Sequence, residues 1–154
     1  MISDGLIPSL QALKAMAEMD MGEAALALAA KLDLQQQAAR VWSERNAQVT
    51  GLGQAYERMT KPGAALYPSA LHILARQAVG SRALLDEGLA ALTRAEQDAD
   101  DQRQLVHAYQ SRYEGLEKFL REAKKVRTEE AEKRAALERE DLFLSRQHLQ
   151  KGQA

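Results

Sequence analysis

Residues 71–123 read LHILARQAVGSRALLDEGLAALTRAEQDADDQRQLVHAYQSRYEGLEKFLREA, and their spacing decides the fold. One row runs Leu71, Leu74, Ala78, Ser81, Leu85, Gly88, Leu92, Ala95, Ala99, Gln102, Val106, Tyr109, Tyr113, Leu116, Leu120, Ala123. The steps alternate three and four residues without a slip. That is a heptad repeat, the pattern of a left-handed coiled coil. Working toward the N-terminus, Pro62, Gly63 and Pro68 bracket a break. Proline lacks an N–H and clashes with the preceding turn, so it marks helix boundaries rather than interiors. Before the break a second row runs Leu10, Leu13, Ala17, Met21, Ala24, Leu28, Leu32, Gln35, Ala39, Trp42, Arg45, Val49, Leu52, Tyr56, Met59, with a less regular step.

The expected fold is therefore all-α. Two long helices, about residues 9–59 and 69–148, form an antiparallel coiled-coil hairpin around a loop at about 60–68. The whole chain, 1–154, reads as a single elongated domain. If Met59 lies near Leu71, facing residues have numbers that add to roughly 130. The first helix then runs out opposite about residue 125, and there the second row turns charged, at Arg127, Glu130 and Arg134. Both observations predict a C-terminal helical overhang. At 1.5 Å per residue the paired part would be roughly 75 Å long and the longer helix roughly 120 Å. Glu114–Lys118, Glu117–Arg121, Glu129–Lys133 and Glu130–Arg134 have the acid-before-base i,i+4 spacing that supports a lone helix.

Composition agrees and narrows the function classes. Of 154 residues, 45% are hydrophobic but only 5% aromatic, and 28% are charged, a balance suited to long helices. The net charge of −1 lacks the basic excess of a dedicated nucleic-acid binder. With no Cys there is no disulfide framework, thiolate metal site or cysteine nucleophile. No secretory signal and no span of about 20 apolar residues is legible, which reads as a cytoplasmic protein without direct membrane insertion.

Catalytic signals are poor, and the chain does not read as an enzyme. There is no phosphate-binding loop, and Gly51-Leu52-Gly53 is too short for a dinucleotide fingerprint. His72, His107 and His148 lie far apart and none has a second ligand at i+4, so neither metal nor cofactor is expected. The carboxylate pairs Asp100-Asp101 and Glu129-Glu130 fit a solvated helix face. Two stretches suggest partner contact instead. Residues 24–30, AALALAA, are apolar around the whole helix, whereas one partner helix covers one stripe. Leu142-Phe143-Leu144 lies beyond the hairpin with nothing to cover it. Trp42, Val49, Leu52 and Tyr56 read first as core, although Tyr and Trp are also favoured interface anchors.

The chain resembles the FliJ/YscO family, the central-stalk and chaperone-like proteins of flagellar and virulence type III export machines. The resemblance rests on Leu10-Gln-Ala-Leu13-Lys14-Ala-Met-Ala17-Glu18, Ala24-Ala25, Gln36-Gln37, Leu52-x-x-x-Tyr56, Glu114-Gly115-Leu116-Glu117-Lys118, and the charged tail from Glu132-Lys133-Arg134 to Glu140-Asp141-Leu142. It implies a stalk whose terminal end stands in the pore of a hexameric export ATPase and promotes hexamer assembly and hydrolysis. Leu10, Leu13, Ala17, Lys124, Arg127 and Arg134 would face that ATPase. Val49, Leu52, Tyr56, Leu71 and Ala78 would face the cytoplasmic domain of the export-gate membrane protein. Leu71 stands where the family often carries a larger aromatic. The resemblance further implies binding of export chaperones and a place at the cytoplasmic face of the inner-membrane export apparatus. Two alternatives stand beside it: a type III substrate chaperone or other helical adaptor, and a structural coiled-coil scaffold.

Overall fold

In the computed structural model, residues 4–153 are described, and they form two long helices that pack against each other. Helix α1 spans Leu6–Thr60 and helix α2 spans Pro68–Gly152. Among the described residues there is no strand, and no helix is long and apolar enough to cross a membrane. Ala, Leu, Gln, Glu and Arg dominate both helices, and these side chains lose little freedom in a helix.

The ends follow local chemistry. Helix α1 begins three residues earlier than the apolar row suggested, because Pro8 sits in its first turn, where a missing N–H costs nothing. The Gly5 carbonyl accepts from the Ser9 N–H at 3.1 Å and from the Ser9 hydroxyl at 2.7 Å. At the other end the Thr60 hydroxyl donates to the Tyr56 carbonyl at 2.8 Å, and Arg58 places positive charge at the helix C-terminus. The chain then turns through Lys61-Pro62-Gly63-Ala64, closed by Ala64 N–H donating to the Lys61 carbonyl at 3.0 Å. Gly63 has φ 87°, and Pro followed by a left-handed Gly is the signature of a type II turn.

Inter-residue contacts fall into two units, residues 1–22 with 108–154, and residues 23–107. In the first unit Ile7, Leu120 and Ala123 form a buried cluster, with Leu10 packed on it. Lys14 extends over the Tyr113 ring, its Nζ 5.4 Å from the centroid, a cation–π distance. In the second unit Ala24 is 5% exposed and Ala99 is wholly buried. Their size lets the helices approach closely at these points. The Gln102 amide is buried between the helices. Its Nε2 donates to the Ala24 carbonyl at 3.0 Å, and its Oε1 accepts from Lys31 Nζ at 3.3 Å. Further along, Arg45 Nη1 donates to the Leu84 carbonyl at 2.7 Å. That path crosses Gly88, where an added Cβ would lie 3.3 Å from Arg45 Cδ and 3.6 Å from Trp42 Cα. Gly88 is therefore explained by close approach, not by backbone freedom. In each unit taken by itself, the partner's number on α2 falls as the number on α1 rises.

The α2 row is reproduced almost position for position. Every member from Leu71 to Ala123 is buried or half-buried except Ala78. The α1 row needs correcting. Leu13 and Leu32 are 40% and 37% exposed, and their neighbours Lys14 and Lys31 take the covered positions. With those substitutions, Ala38 taken in place of Ala39 and Ile7 added, the covered row runs 7, 10, 14, 17, 21, 24, 28, 31, 35, 38, 42, 45, 49, 52 in strict alternation of three and four, and there it slips: the next position, Tyr56, is 52% exposed and Ala55 is half-buried instead. The irregular step expected from the sequence is thus confined to the last turns of α1, after Leu52. A lysine stem is apolar and lies along the seam while its ammonium reaches a ring or a carbonyl oxygen.

The local ion pairs differ in detail from expectation. Arg121 and Glu117 pair at 3.9 Å as expected, whereas Glu129 pairs with Lys125 at 4.0 Å. Glu114 accepts from Gln110 Nε2 at 3.1 Å, and Arg103 pairs with Asp100. All are exposed except the half-buried Glu117, and pairs so open to solvent contribute little individually.

Candidate interaction surfaces

A protein built from two packed helices offers grooves along its seam and outward helix faces. Among the described residues no group of His, Asp or Glu could hold a metal ion. The surfaces that remain belong to each unit separately.

In the unit of residues 23–107, Val49, Leu52, Gly53 and Tyr56 of α1 share a groove with Leu74, Ala75, Ala78 and Arg82 of α2. Four of the five residues expected to face an export gate therefore lie together. Leu71, the fifth, is half-buried and is not part of this groove's lining. Tyr56 is 52% exposed, so its ring is available to a partner, while Val49 and Leu52 are partly committed to the seam. On the opposite flank Gln48, Gly51 and Leu52 meet Gln77, Gly80, Ser81 and Leu84. Two heptads away, Lys31 and Leu34 meet Ala91, Arg94, Ala95 and Asp98, all but Lys31 at positions fourteen residues from those of the first groove. The small residues Gly51, Gly80 and Ala91 lie along this flank.

In the other unit, Lys124 and Arg127 line a groove with Ile7, Thr128 and Ala131. Two of the residues expected to face an ATPase thus stand beside the buried cluster that holds Leu10. Arg134 and Leu13 are exposed on the same unit. Ala17 is 2% exposed, so its methyl is taken up in packing and acts on a partner only by fixing the helices that carry its neighbours. Ile7 was missed because the apolar row was started at Leu10; its position three residues earlier continues the same row.

The two stretches singled out as unpartnered in the sequence behave differently. Within residues 24–30, Ala24 is buried and Leu28 half-buried, while Leu26 is 74% exposed. Leu142, Phe143 and Leu144 are 62%, 61% and 45% exposed. Leu137 and Leu149, at 62% and 69%, extend that exposure along the same helix.

One further polar group is notable. The Gln35 Oε1 atom is buried without a hydrogen-bond partner. Together with Gln102 and Arg45 it makes the seam of this unit unusually polar, a pattern that fixes register at the expense of stability. Compared with family models, with characterised proteins and with solved structures, the chain matches none.

Proposed function

We propose that the chain is the central stalk of a type III protein export machine. Its helices form an antiparallel coiled-coil hairpin with an overhanging C-terminal helix. The terminal end stands in the pore of a hexameric export ATPase and promotes hexamer assembly and hydrolysis. The loop-proximal end contacts the cytoplasmic domain of the export-gate membrane protein, and the outer faces escort export chaperones. The protein would work at the cytoplasmic face of the inner-membrane export apparatus.

The observation that carries this reading is the pairing order. Partners of α1 residues descend along α2 in each unit, over a strict heptad row, and the covered row thins out after Ala123. The helices hold 55 and 85 residues, and that inequality supports an overhang of the longer one. Beyond Ala135 every described residue is exposed. A stalk needs long, narrow contact surfaces with few strong anchors, and it acts by favouring some ring conformations over others through differential contacts. A mixed-sign surface of 21 basic and 22 acidic residues suits that demand. The second reading, a substrate chaperone or helical adaptor, draws on the uncovered Leu137, Leu142 and Phe143.

The division of ends is tested by Leu52→Ala/Tyr56→Ala. Truncating an interface Tyr costs on the order of 1–3 kcal/mol, so gate-domain affinity should fall roughly tenfold or more while ATPase stimulation changes less than twofold. Circular dichroism must first show unchanged helicity, since Leu52 also packs in the seam. Equal losses in a folded variant would contradict the division.

A further inference from the structure

The loop joining the helices has a composition unlike the remainder of the chain. From Pro62 to Ala75 there is no Asp, Glu, Lys or Arg, and the segment includes Ala64, Ala65, Leu66, Tyr67, Leu71, Ile73 and Leu74. Leu66, Tyr67 and Ile73 are 65%, 63% and 57% exposed. Basic side chains flank it on both sides, Arg58 and Lys61 before, Arg76 and Arg82 after. Between residues 57 and 81 Arg58, Lys61 and Arg76 stand with a single acid, Glu57, a local excess of +2 in a chain whose total is −1, while Arg82 lies one turn before Asp86. Among the described residues Lys61 and Arg76 form no ion pair.

We infer that this loop end docks on the surface of an anionic phospholipid bilayer. The arrangement is an uncharged apolar tip with a basic collar. A collar supplies long-range attraction to anionic headgroups, and exposed Leu and Tyr side chains enter the interfacial layer once the loop is close. The order of the residues favours a bilayer over an acidic protein. A protein site built on ion pairs would place its charges among the contacts, but here the leading residues are uncharged and the charges stand behind them. The type II turn at Pro62-Gly63 fixes the exit direction of the loop, so little ordering is needed on contact. The contact is peripheral, in keeping with the absence of any membrane-crossing helix among the described residues. This inference stands independently of the stalk reading.

Sedimentation with vesicles tests it, using phosphatidylcholine alone and phosphatidylcholine with about one-third phosphatidylglycerol, with the full chain at low and physiological salt. Binding should require the anionic lipid and weaken as salt rises. Arg76→Gln should weaken it roughly fivefold, as should Lys61→Gln. Leu66→Ser/Tyr67→Ser should abolish it although the charge is unchanged. These side chains are exposed, so the variants should keep the wild-type helicity. Leu142→Ser/Phe143→Ser, which removes exposed apolar groups elsewhere, should bind as the wild type does. No sedimentation of the folded protein at low salt would overturn the inference and leave an acidic protein as the partner of this end. So would equal binding to both vesicles, or binding that ignores the Leu66/Tyr67 change, or binding lost with Leu142 and Phe143.

Discussion

Leu120→Ala should destabilise the protein by about 3 kcal/mol. Leu120 is 6% exposed and sits between Ile7 and Ala123, with Leu10 packed beside them. Truncating a buried Leu loses the transfer free energy of the removed carbons and leaves a cavity that neighbours fill only partly, which costs roughly 2–5 kcal/mol. Two features place this site toward the middle of that range. The cluster is small, with a single layer of helix on either side, so some collapse is available. Yet Ala123 is already small, and Ile7 and Leu10 are themselves held in the cluster, so the space is filled only in part. The effect should be local. Hydrogen exchange should accelerate over residues 6–20 and 113–127 and stay close to wild type over residues 30–100. A loss below about 1 kcal/mol would mean that this cluster is not the anchor of its unit.

Gly53→Ala combined with Gly80→Ala should act in the opposite direction, raising stability by about 2 kcal/mol. Both residues are helical, and a Cβ at either would meet nothing within 4 Å. Neither packing nor a positive φ requires glycine there. Each Gly in a helix interior costs about 1 kcal/mol relative to Ala, largely through backbone freedom in the unfolded chain. Gly53 and Gly80 line different grooves, so the two gains should add. The urea midpoint should rise with an unchanged denaturant slope. Gly88→Ala provides the contrast. Its new methyl would press on the Arg45 side chain at 3.3 Å, so the propensity gain there is offset by displacement of the bond to the Leu84 carbonyl. No rise in the Gly53/Gly80 variant would show that these glycines serve a conformation other than the straight helix.

Periodicity made the second helix legible and misled slightly on the first. On α2 the residue types and the three-four spacing agree, so the covered row can be read directly, down to the polar Gln102 and Ser81. On α1 they disagree at Leu13 and Leu32, and near the loop the covered row slips from Tyr56 to Ala55. Choosing the apolar residue selects Leu13 and Leu32, but unbroken spacing selects Lys14 and Lys31, and packing follows the spacing. The reason is geometric. A helix cannot rotate locally to bury one leucine without exposing the rows above and below it, and a lysine stem can cover a seam while its charge finds a partner. Lys14 finds the Tyr113 ring and Lys31 finds Gln102. Those partners are 99 and 71 residues away in sequence, and hydropathy along the chain carries no sign of them. The relation between Arg45 and Gly88 was hidden for the same reason. Of the surfaces, the groove around Leu52, Tyr56, Leu74 and Ala78 was readable, because it follows from the spacing and the loop position. Which of its residues are exposed enough to meet a partner was not, since exposure depends on rotation of the helix by less than one residue.

The proposed stalk acts on a ring ATPase. Its most direct test is the hydrolysis rate of the export ATPase from the same cell, measured at fixed ATPase concentration while the folded protein is titrated in. The stalk reading predicts stimulation that saturates near one copy per hexamer and weakens when Lys124 and Arg127, the basic residues beside Ile7, are changed to Glu. A flat response from active ATPase and folded protein would contradict it and favour the chaperone or adaptor reading.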